Sequence, residues 1–131
     1  MVVTAFYAGL LAAWFLVLST KVVLRRQSGP SLGDGGNPLM LRLIRGHANF
    51  AEYVPLIVVM MGLLELGHTS VYLLHALGIT LLVGRLLHGY SLSFTEHHKF
   101  GRFWGAALTF LVLGVCAVLC VWQGIRGMAA T

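Results

Sequence analysis

The chain has 131 residues, enough for one domain; 58% of them are hydrophobic and only 10% are charged. Soluble domains carry about 25% charged residues, so this composition excludes an ordinary soluble core and reads as a membrane protein. The formal net charge of +5 does not mark a nucleic-acid protein. The basic residues sit at the ends of apolar segments, where membrane topology puts them, and not along a soluble face.

The first apolar segment covers residues 2–24. MVVTAFYAGLLAAWFLVLSTK lacks a basic start and exceeds the about 7–15 apolar residues of a signal-peptide core, so it is expected to be a retained span. Trp14, in mid-span, is expected to pack against another helix. The connection KVVLRRQSGPSLGDGGNP opens with Lys21, Arg25 and Arg26 and then turns rich in Gly and Pro. No Gly-Lys-Ser/Thr follows, so it is not a phosphate loop.

Three further segments cover residues 39–66, 71–91 and 103–125. Each is near the about 20 residues that cross a bilayer as a helix, and the runs are continuous where a barrel would alternate. The expected fold is all-α, an integral membrane four-helix bundle in a single domain over residues 1–131. Connection two, around ELGHTS, has no Lys or Arg, whereas connection three, SFTEHHKFGR, has Lys99 and Arg102. The positive-inside rule then puts connections one and three in the cytoplasm and both termini in the periplasm or a lumen. Arg126 votes against that arrangement. Cys116 and Cys120, one turn apart on one helix, suit neither a disulfide nor a zinc motif and read as packing residues. Trp104 and Trp122, near opposite ends of the fourth span, fit an interfacial belt. The tail GMAAT is expected to fray.

The polar chemistry concentrates in RGHANFAEYVP. On a helix, Arg45, Asn49 and Glu52 follow at i, i+4 and i+7 and project within about 40° of one another. Arg42 extends the stripe by a turn, and His47 points nearly the opposite way. Pro55 removes a hydrogen bond to Ala51 and should kink the helix beside the stripe. Ionisable residues in a span cost about 2.5–3.5 kcal/mol at its centre. Either the stripe fixes packing, with Arg45 and Glu52 paired across helices, or it faces a wet functional cavity.

The third segment adds Arg85 and His88, one turn apart, with Tyr90 close by. Arg102 opens the fourth helix, where a cation and a helix N-terminus together make an anion-attracting corner. Four arginines against Glu52 alone favour an anionic ligand carrying an amine or amide. Such a corner also stabilises a thiolate, because cations lower a thiol pKa from about 8.5.

Arg45-x-x-x-Asn49-x-x-Glu52-Tyr53-x-Pro55 resembles the second-helix signature of the MAPEG family, the membrane-associated proteins in eicosanoid and glutathione metabolism. Gly84-Arg85-x-x-His88 resembles that family's third-helix motif, and the similarity covers nearly the whole chain, closest to short bacterial members. The resemblance implies a bacterial inner-membrane homotrimer with glutathione, as bound co-substrate, between neighbouring subunits near the cytoplasmic face. It implies that Arg45, Asn49 and Glu52 hold the glutathione backbone, and Arg42 lies on the same stripe. It implies that Tyr53 adds a contact, that Arg85 and His88 line or support the site with Tyr90 nearby, and that Arg102 activates the thiol. The reaction implied is a transferase or peroxidase step on a lipophilic electrophile or hydroperoxide entering from the membrane lipids. The chain departs from the pattern at Ala48, where some family enzymes have a second arginine, and at Leu92, a plausible match to a family tyrosine. Another low-molecular-weight thiol could replace glutathione.

Three other readings compete. A small four-helix transporter could use Glu52, although Arg45 on the same stripe would repel a cationic substrate. A haem or quinone protein could use His47, His75 and His88, but His75 and His88 lie at different depths, and His97 and His98 read as solvated loop residues. A structural trimer could have no chemistry at all.

Overall fold

The computed structural model describes residues 1–96 and 99–130; His97 and His98 lie outside the described residues. Four helices follow in order: α1 over Val2–Gln27, α2 over Pro38–Leu66, α3 over Val71–Ser93 and α4 over Lys99–Ala129. All four are long and apolar enough to cross a membrane, and among the described residues there is no strand. The tail GMAAT, expected to fray, is helical for most of its length: α4 continues through Gly127 to Ala129.

Local chemistry starts and stops these helices. Asn37 caps α2, its Oδ1 accepting from the Leu39 and Met40 amides at 3.0 and 3.1 Å, and Pro38 takes the first position, where its missing N–H costs nothing. The preceding loop folds back onto Arg26, whose Nη1 donates to the Pro30, Ser31 and Gly33 carbonyls. α2 runs unbroken through Pro55. The start of α1 is capped from a distance. Glu65, at the end of α2, accepts from the Val3 and Thr4 amides at 2.9 and 2.8 Å, placing a carboxylate where α1 has orphan donors and a positive dipole end.

α2 and α3 form the centre and touch every other helix, while α1 and α4 flank them without touching each other. Lipid offers no hydrophobic drive between spans, so close packing of small residues has to hold them. α4 turns Gly101, Gly105, Thr109, Val112 and Cys116 inward. At Gly105 a β-carbon would lie 2.6 Å from the Gly84 carbonyl oxygen and 2.7 Å from the His88 amide nitrogen, so α3 and α4 meet backbone to backbone. On the other flank, Trp14 donates from Nε1 to the Arg85 carbonyl at 3.0 Å, and its ring occupies the space a side chain at Gly89 would need. Phe15 stacks on His47 and Phe50 with centroids 4.6 and 4.9 Å apart, which turns His47 toward α1 and away from the polar stripe. Cys116 is buried and Cys120 half-buried; both are free thiols.

Candidate functional site

One end of the bundle carries connections one and three, and there α2, α3 and α4 enclose a cavity of about 340 Å³. Such a volume lies within the about 300–1,000 Å³ of small-molecule sites. The stripe on α2 supplies Arg42, Arg45, Asn49 and Glu52, α3 supplies His88 and Leu92, and α4 supplies Arg102. The helical spacing that aligned the stripe on paper thus places all four of its members on one wall. Three guanidinium groups face one carboxylate. Among the described residues no ion pair joins Arg45 to Glu52, so these charges are not consumed in fixing the fold. Among the described residues the Arg42 Nε is buried without a hydrogen-bond partner, which leaves one of its donors unsatisfied beside the cavity.

Arg85 does not line the cavity. It is 1% exposed and stands behind Asn49, its Nη1 donating to the Asn49 Oδ1 at 2.9 Å. The bond engages the Asn49 oxygen with Arg85, which leaves the amide its NH₂ as a donor. Apart from Glu52, the polar wall is therefore built mainly to donate. The remaining guanidinium nitrogens of Arg85, Nε and Nη2, are buried without partners among the described residues.

Tyr53 and Tyr90 do not line this cavity. Tyr53 follows Glu52 by about 100° around α2 and packs edge-on against Phe110 of α4 at 5.3 Å. Tyr90 is exposed and stacks on Phe94 at 5.3 Å. Leu41, Ala48 and Leu92 line the cavity, the last two being positions where the chain departs from the family pattern. His75, considered as a haem ligand, is hydrogen-bonded to Tyr7 at 3.0 Å near the other end of the bundle. Among the described residues no cluster of three His, Cys, Asp or Glu side chains could hold a metal.

Arg102 and His88 serve two hollows. Beyond them opens a second one of about 470 Å³, which adds Lys99, Phe103 and Ala106. α4 begins at Lys99, so Arg102 falls in its first turn, on the rib between the polar cavity and this second space.

The model of the MAPEG family matches residues 4–122. The chain belongs to the MAPEG family. This MAPEG chain is 39% identical over 101 residues to the Inner membrane protein YecN of Escherichia coli (strain K12), a match covering 76% of this chain and 74% of that one. The protein of the same name from Escherichia coli O6:H1 matches to the same extent. No solved structure gave a significant match. With four membrane-length helices and an inner-membrane relative, it is an integral inner membrane protein.

Proposed function

We propose that this MAPEG protein binds glutathione, or a thiol of the same chemistry, in the cavity of α2, α3 and α4 and presents its thiolate to a lipophilic acceptor. The observation that carries the reading is the polar wall itself. Arg42, Arg45, Arg102 and the Asn49 amide are donors, and Glu52 is the one carboxylate beside them. A ligand with carboxylates and one ammonium group matches that pattern: carboxylates on the arginines and Asn49, ammonium on Glu52. The thiol lies at Arg102, whose cation favours the thiolate. The second hollow, with Phe103 and Ala106, receives the acceptor on the other side of Arg102. The sulfur then forms a bond to the electrophilic atom as the displaced group departs with its electron pair. Neighbouring subunits of a homotrimer complete the cavity walls, and the cavity end faces the cytoplasm with the basic connections one and three.

Ultraviolet difference titration of the detergent-purified protein with glutathione, near neutral pH, tests this. A saturable thiolate signal is expected in the native protein. Arg102→Ala should lose the signal while keeping calorimetric binding, and Arg45→Ala should weaken binding itself by about tenfold or more, the loss of one charge-assisted hydrogen bond. Absence of both signal and binding heat refutes glutathione binding. An unaltered signal in Arg102→Ala refutes the role given to Arg102.

A further inference from the structure

At the opposite end of the bundle a second polar hollow has no place in the glutathione reading. It measures about 430 Å³ and is lined by His68 and Thr69 of the α2–α3 turn and by Trp122, Gln123 and Arg126 of α4. Its floor is fixed: Gln123 Nε2 donates to the Leu63 carbonyl at 3.0 Å, and its carboxamide lies where a side chain at Gly67 would have to go. His68 adopts φ 60°, a left-handed conformation uncommon outside glycine. Arg126 has no hydrogen bond or ion pair among the described residues. The helix dipole explains why a cation is tolerated in the last turn of α4, but not the hollow around it. The carboxylate nearest in sequence to the turn, Glu65, is engaged with the α1 amides.

An apolar groove adjoins this hollow. Val118, Val121 and Ile125, with Ala117, line it, it presents no polar surface, and Trp122 belongs to both. From Arg126 at the helix end to Val118 toward mid-span is about 12 Å along α4. Polar pocket, interfacial tryptophan and apolar groove thus follow in the order of an amphiphile standing in one leaflet.

We infer that this surface binds an anionic phospholipid, its phosphate against Arg126, His68 and Thr69 and an acyl chain along Val118, Val121 and Ile125. Charge selects the occupant, because the hollow offers the Arg126 cation with His68 and Thr69 beside it, and among the described residues no carboxylate lines it.

The test is native mass spectrometry of the full-length protein in detergent, titrated with phosphatidylglycerol or phosphatidylcholine. Phosphatidylglycerol should bind about fivefold tighter, the increment of one basic side chain at an anionic headgroup. Arg126→Gln should abolish the preference and Arg126→Lys should retain it, while Trp122→Ala weakens both lipids. Equal binding of the two lipids, or a preference that survives Arg126→Gln, overturns the inference. So does displacement of the lipid by soluble glycerol phosphate, which would mark a free-phosphate site. Phosphatidylglycerol with brominated acyl chains should quench tryptophan fluorescence more in the native protein than in Trp122→Phe. No difference, as expected if a second copy of the chain covers the groove, also overturns it.

Discussion

Replacing Gly105 with alanine should force α3 and α4 apart. The new β-carbon would stand 2.6 Å from the Gly84 oxygen and 2.7 Å from the His88 nitrogen. Both are backbone atoms, which cannot swing aside as a side chain can, so the helices have to part by about 0.8 Å to restore ordinary contact. Overpacking costs about 1–3 kcal/mol, and rigid neighbours put this case near the top of that range. Alanine's better helix propensity returns about 0.5–1 kcal/mol, leaving a net loss of about 2 kcal/mol. Gly114 on the same helix is the control, with nothing within 4 Å of its added β-carbon. There alanine should be neutral or stabilising by up to about 1 kcal/mol. Unfolding in graded dodecyl sulfate, followed by circular dichroism, measures both variants. Because Arg102 is one turn before Gly105, the parted helices should also weaken any ligand that bridges Arg102 and His88. Equal stability of the Gly105→Ala and Gly114→Ala variants would refute the close helix contact.

Arg85→Met removes a buried guanidinium with two unpartnered nitrogens, so stability should hold or rise. Freed from Arg85, the Asn49 amide can rotate, and calorimetry should show glutathione binding about tenfold weaker; unchanged affinity would mean that Arg85 does not orient Asn49. Glu65→Gln takes the charge from the start of α1 and should cost about 1 kcal/mol in the unfolding assay, with the distant cavity still binding normally; full stability would show that the cap contributes nothing. Trp14→Phe gives up the bond to the Arg85 carbonyl and should cost about 1 kcal/mol, an effect absent if that bond is worth no more than its exchange with solvent.

The four helices were legible because spans of this length and apolarity have few alternatives in lipid. The α2 stripe was legible because i, i+4 and i+7 are neighbours on any helix. Relations between helices were not. Nothing within GRLLHGY separates Arg85, turned inward behind Asn49, from His88, which reaches the cavity; that depends on where α2 lies. Tyr53 and Tyr90 neighbour site residues in sequence, but steps of one or two residues turn a side chain by about 100° or 200°, toward Phe110 in one case and outward onto Phe94 in the other. The link from Glu65 to α1 had a readable signal: a carboxylate ending its own helix sits against that helix's dipole, which suggests a partner elsewhere.

That link also bears on biogenesis. The Val3 and Thr4 amides donate to a carboxylate about sixty positions later in the chain. While α1 is the one span yet synthesised, its leading end must leave those amides to water or headgroups. Only when α2 packs against α1 and brings Glu65 to that end of the bundle are both satisfied. The cap on α1 is therefore complete only with α2 in place beside it, so the first two helices close as a hairpin tied at one carboxylate.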